Sequence, residues 1–322
     1  MTSDKDIVIA HGAKAGTIPN RWDRLTPTQF LDLHKLLDLF SKGAISAGVV
    51  KAAFVCLAMG WKMERIKGKE AYNNLVTLGD RVTFIFKIEY PDDVFEAFDE
   101  SEIRPFLRRD PSNSTAAVAR YLAKTDYRFV VDACFCAQMV PAVKIGKRTF
   151  KAYTINTDFN QLSTSLTTAQ YLDVMSLSKG YKDQLPLMAA ILYLPGRYDS
   201  ERAHDLAKVF ASLPETTLSA IAFNFTAFIN YLFTKTEFKI LTAGKKSSSP
   251  ISIGPSESMY NLTVDGYGDL EEVKQMKLID FLTICLKKTI DAVKSMSHAK
   301  MKITDIASET GFSIHLINEI IK

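Results

Sequence analysis

Apolar residues along the chain fall mostly into helical spacing and only locally into alternation. Phe30, Leu33, Leu36, Leu37 and Phe40 recur at intervals of three and four, which predicts a helix from about Pro27 to Ser41. Residues 47–59 are apolar on nearly all sides, so the helix expected there is the buried centre of its module. A third helical pattern runs from Glu70 to Leu78 and is stopped by Gly79. From Arg81 to Tyr90 the even positions are uniformly apolar and the odd ones mixed, the mark of a strand with one buried face, ended by Pro91. Residues 94–109 are amphipathic and broken near Pro105. A loop at 110–114 is expected to cap a helix over 115–124, and 126–140 reads as a further helix. Later helical patterns cover 168–179, 186–194, 200–211, 215–233 and 271–295. Alternation over 142–153 about Gly146-Lys147 predicts a hairpin, and a short strand is expected near Ile7–Ala10.

One helix start is present twice. Leu25-Thr26-Pro27-Thr28-Gln29-Phe30-Leu31-Asp32 returns as Leu166-Thr167-Thr168-Ala169-Gln170-Tyr171-Leu172-Asp173. In each, Thr is an N-cap whose hydroxyl accepts from the third helical amide, and Gln reaches back to the cap's own N–H. Leu25 with Phe30, and Leu166 with Tyr171, have the spacing of a hydrophobic staple. Each copy leads into an apolar second helix followed by glycine, Gly60 or Gly196. The first copy is five residues longer from Thr to Gly, a difference expected in the inter-helix loop near Lys42–Ser46.

The fold class expected is mainly α with a minor β part: two related helical modules, small hairpin or strand elements, and a C-terminal helical hairpin. Residues 1–24 form an extended arm and 25–140 the first module with its strand near 81–90. Residues 141–241 hold a basic hairpin and the second module, 242–269 a linker, and 270–322 the C-terminal helical region.

Length and composition add limits. A chain of 322 residues with 47% apolar and 24% charged residues can hold two cored domains. A net charge of +4 permits contact with nucleic acid without arguing for it. Cys134 and Cys136 are one residue apart, unlike zinc ligands, and with Cys56 and Cys285 they read as thiols in a reducing compartment. The polar N-terminus lacks a signal-peptide core, so a cytoplasmic protein with no membrane partner is expected. The nearly uncharged stretch 215–233 is long enough to resemble a membrane span. Its Ser219, Asn224, Thr226 and Asn230 instead favour a core or oligomer-interface helix.

Chemistry is sparsely signalled. No phosphate-binding loop and no His-Glu-x-x-His is present, and the five histidines are widely spaced. No catalytic, cofactor-binding or metal-binding residue is nominated, and the chain is expected not to be an enzyme. Lys144, Lys147, Arg148 and Lys151 make a basic ribbon, read as a solvated face or as a phosphate contact. Residues 302–321 resemble a helix-turn-helix: Ala307 is small where helices cross, Gly311 suits a left-handed turn, and Ser313 caps the second helix. Ile306, Phe312, Ile317 and Ile320 would seal the hairpin against a third helix drawn from 271–295. In a DNA-binding version Lys302, Ser313, Ile314, His315 and Asn318 would face DNA, but the segment contains no Arg. Docking to another protein is the favoured alternative.

The run Pro141-Ala142-Val143-Lys144-Ile145-Gly146-Lys147-Arg148-Thr149-Phe150 leads to the capped helix at Thr167. It is followed by Leu187-Met188-Ala189-Ala190-Ile191-Leu192-Tyr193-Leu194-Pro195 and Tyr198-Asp199. This arrangement resembles proteins encoded by tailed bacteriophages and prophages in tail-morphogenesis neighbourhoods, and Trp22 to Tyr90 is similar to them as well. The resemblance covers about residues 20–90 and 140–235. It implies a virion component or tail assembly chaperone, acting in the host cytoplasm or within the virion. Its partners would be other virion or assembly proteins, or itself. It brings no active-site residue and no cofactor.

Overall fold

Side-chain caps at Thr26, Ser46, Thr167, Asp199, Asp269 and Ser313 each start a helix. A computed structural model describes residues 5–11, 14–158, 161–177, 182–244, 259 and 262–322. The chain is mainly α with four two-stranded antiparallel sheets among these residues, and divides into two compact units, Met1–Ala133 and Cys134–Lys322. Most of the linker expected over 242–269 lies outside the described residues.

The first unit opens with β1 (Ile7–His11), where a short strand is expected, paired with β2 (Lys14–Ile18) in the stretch read as an extended lead-in. The chain then locks into the core. Asn20 Oδ1 accepts from Thr83 N at 2.9 Å, and Trp22 Nε1 donates to the Asp132 carbonyl at 2.9 Å while meeting Phe84 edge-on. Helix α1 (Pro27–Ser41) starts at Thr26 with both bonds of the capping box formed. Helix α2 (Ala47–Met59) is capped by Ser46 and ends at Gly60 in the left-handed region. Helix α3 (Lys69–Arg81) continues through Gly79 instead of stopping there. Glycine serves as the contact point at that position, since a Cβ there would lie 3.3 Å from Ala52 N and from Lys51 Cβ on α2.

Because α3 runs on to Arg81, the following strand is shorter than the 81–90 expected. Strand β3 (Phe86–Glu89) is preceded by buried, non-strand Val82, Phe84 and Ile85. The amphipathic stretch 94–109 is broken into α4 (Asp92–Ala97), α5 (Glu100–Ile103) and a 3-10 turn at Pro105. Asp110 accepts from Ser112 N and so caps the short turn Pro111–Asn113; α6 (Ala117–Leu122) has no side-chain cap. The helix read at 126–140 is absent. Arg128–Val131 is strand β4, paired with β3 in the register Phe86↔Val131 and Glu89↔Arg128. Residues 132–141 then run without helix.

The second unit begins in this extended run, which a polar side chain holds in place. Asn224, 1% exposed, accepts from Met139 N at 2.7 Å and donates to the Ala137 carbonyl at 2.8 Å. The hairpin follows as expected, β5 (Ala142–Ile145) and β6 (Arg148–Lys151), turning at Gly146 with φ +58. A shorter pair, β7 (Ile155–Asn156) and β8 (Ser163–Thr164), leads to α7 (Thr168–Leu177). The second capping box forms too: Thr167 N donates to Gln170 Oε1 at 3.0 Å, and Gln170 N to Thr167 Oγ1 at 3.3 Å. Helices α8 (Leu185–Leu192), α9 (Ser200–Phe210) and α10 (Glu215–Lys235) come next. Tyr193, Phe210, Phe225 and Phe228 are almost wholly buried here. Among the described residues, α10 alone is long and apolar enough to cross a membrane by length and composition, and half of its apolar window is buried.

The single helix read over 271–295 is two: α11 (Leu270–Gln275) and α12 (Leu278–His298). The break at Met276-Lys277 is bonded to the second capped start. The Met276 carbonyl accepts from Thr168 N and Oγ1, and Leu278 N donates to the Leu166 carbonyl at 2.8 Å. Helices α13 (Ile303–Thr310) and α14 (Ile314–Ile321) complete the chain. In the second copy the segment equivalent to Lys42–Ser46, where the five-residue difference is expected, includes residues 178–181, which lie outside the described residues.

Candidate functional site

Three places carry groups that can meet a ligand or partner. The C-terminal hairpin has the expected geometry. Gly311 is left-handed at φ +72, its N–H donates to the Ala307 carbonyl, and Ser313 Oγ accepts from Leu316 N at 3.2 Å. Ile306, Phe312, Ile317 and Ile320 are buried with Val293 of α12, which supplies the third helix. This packing leaves Lys302, Ser313, Ile314, His315 and Asn318 exposed. His315 Nδ1 lies 3.8 Å from Glu319 Oε1, so an acid shares the exposed face of α14. From α12 to the C-terminus six lysines stand against five carboxylates, and Met301, Ile303 and Ile314 are at least 39% exposed. The surface is near charge balance and partly apolar.

The basic ribbon is divided by its register. Val143 and Phe150 are paired and turn inward, while Lys144 and Lys151 lie on the outer face. Arg148, paired with Ile145, falls on the side of Val143 and Phe150, and Lys147 is in the turn. All four cations are exposed, but they do not form one flat basic face.

The third place lies in the first unit, and no motif announced it. A cleft of about 200 Å³ is lined by residues of α2, α3, the 110–113 turn and β4. Lys51 on α2 lines it at only 2% exposure. Its Nζ reaches the Arg108 carbonyl at a long 3.5 Å and sits 5.5 Å from the centre of the Phe129 ring. Asp80 of α3 accepts a hydrogen bond from Asn113 Nδ2. Asp110 Oδ1 accepts from Ser112 N at 2.9 Å, Ser112 Oγ at 2.6 Å and Tyr127 OH at 2.9 Å. Burial pushes the Lys51 pKa down and that of Asp80 up, each against the pull of the other's charge. Tyr72, half exposed, stands among the lining residues. The sequence signal was one lysine inside a helix otherwise apolar all round.

Among the described residues no group of three or more His, Cys, Asp or Glu is placed to hold a metal ion, and all four cysteines carry thiols rather than disulfides. No family model, no curated protein and no solved structure matches the chain.

Proposed function

We propose that the chain is a non-catalytic structural or assembly protein of a tailed-phage-type particle, akin to a tail assembly chaperone, and that it works by binding protein. The observation that carries this reading is the C-terminal hairpin. Its outer surface is nearly balanced in charge and exposes Ile314 beside His315 and Asn318, which suits a protein partner better than a phosphate backbone. The partner is another virion or assembly protein or a second copy, met in the host cytoplasm or in the virion. Light scattering after size exclusion, alone and after co-expression with the neighbouring genes, tests this. A stable assembly that Ile314→Asp dissolves is expected. A strictly monomeric protein that joins no product of those genes would overturn it.

A second reading, a DNA-binding regulator or packaging factor, has one specific observation in its favour. The three-residue turn Gly311–Ser313 places Ser313, His315 and Asn318 at the exposed start of α14, with Lys302 before α13. Under this reading a mobility shift at low salt weakens steeply as salt rises and is lost in the His315→Ala, Asn318→Ala double variant. No shift at low salt ends it.

A further inference from the structure

The Lys51 cleft is independent of the hairpin and asks for its own explanation. Lysines are almost never fully buried without a partner. Lys51 is 2% exposed, and its one hydrogen bond among the described residues is the long one to Arg108. Asp80 and Asp110 share the cleft with it, but neither forms an ion pair with its Nζ. The space has room for about seven water-sized groups, taking water at about 30 Å³. Its walls are mixed: carboxylates on one hand, Phe129, Val49 and Val76 on the other.

We infer that this cleft takes a small, uncharged carbonyl compound, an aldehyde or ketone, and that Lys51 Nζ binds it covalently as an imine with Asp80 moving the protons. Lys51 and the nearby Arg109 offset Asp80 and Asp110, so the cleft offers no net charge to hold an ion, and a neutral electrophile suits it. The neutral Lys51 amine attacks the carbonyl carbon, the C–N bond forms as the C=O π bond opens, and a proton passes from the nitrogen to the oxygen to give a carbinolamine. Asp80 protonates the leaving hydroxyl, which departs as water, and takes back the N–H proton as the C=N bond forms. No oxidant or reductant is consumed. The directions in which burial moves the two groups, amine toward free base and carboxyl toward free acid, are those this chemistry needs.

The test uses the full chain and benzaldehyde, a probe of eight non-hydrogen atoms, with cyanoborohydride to trap imines, followed by peptide mass mapping. Lys51 is expected to be labelled at least about tenfold faster than any exposed lysine, and its rate should stay high at pH values where exposed lysines have become unreactive. Lys51→Arg should abolish that fast adduct and leave the slow ones unchanged. Asp80→Asn, with an unaltered melting curve, should slow Lys51 labelling alone. Labelling of Lys51 at or below the rate of exposed lysines in the unaltered protein would overturn the inference and leave Lys51 a packing residue.

Discussion

His34 lies on the inner side of α1 at 9% exposure. Burial lowers its pKa to about 4 from 6.5, against an opposing pull from Asp38. The folded state therefore holds a neutral imidazole where the unfolded chain accepts a proton. The stabilisation is whole above about pH 6.5, declines as pH falls, and is gone near pH 4. At about 1.4 kcal/mol for each pKa unit, its full extent is about 3 kcal/mol. Melting curves between pH 4 and 7 should show this loss, and His34→Leu should flatten the curve within that window. An unchanged slope in the variant would remove His34 from the account. Lys51 has a similar origin: one charged side chain in the wrong surroundings, conspicuous in the sequence but mute about its neighbours.

At the scale of elements, the two capped starts make the same bonds in unequal surroundings. Gln29 is half-buried and among the described residues bonds only to Thr26, whereas Gln170 is 7% exposed and also donates to the Ile191 carbonyl at 2.7 Å, near the end of α8. Thr26→Ala should cost about 1 kcal/mol, while Thr167→Ala should cost nearer 2 kcal/mol because its orphaned amide is less accessible to water. The two caps share no group, so the double variant should be additive within about 0.5 kcal/mol in chemical denaturation. Equal costs for both would show that the burial of the second box is immaterial. These caps, the Gly146 turn and the Gly311 hairpin were legible in the sequence because each is decided within a few residues. Strand β4 was not, since Arg128–Val131 becomes a strand by pairing with Phe86–Glu89, some forty residues earlier. The break at Met276 was hidden for the same reason, its carbonyl being used by Thr168. The Lys51 cleft draws on α2, α3, a capped turn and β4, so one sequence could show its lysine but not its walls.

At the scale of the whole molecule, each unit carries its own core. In Met1–Ala133, Trp22 and Arg108 both bind Asp132, next to the border, and Phe30, Phe54 and Phe86 are buried. In Cys134–Lys322, Phe135 N donates to the Ala227 carbonyl immediately after the border, and Asn224 fixes the chain that follows. A cut between Ala133 and Cys134 therefore severs one peptide bond and leaves these bonds within their fragments. Residues 1–133 and 134–322, expressed separately, should each unfold cooperatively, as compact units with cores of their own do. The acid sensitivity assigned to His34 should travel with the first fragment, so its midpoint should fall between pH 7 and pH 4, and His34→Leu should remove that fall. Circular dichroism melts of both fragments across this range check the division and the residue together. A first fragment without a cooperative transition would refute the division. A cooperative one with a pH-independent midpoint would spare the division and refute the role of His34.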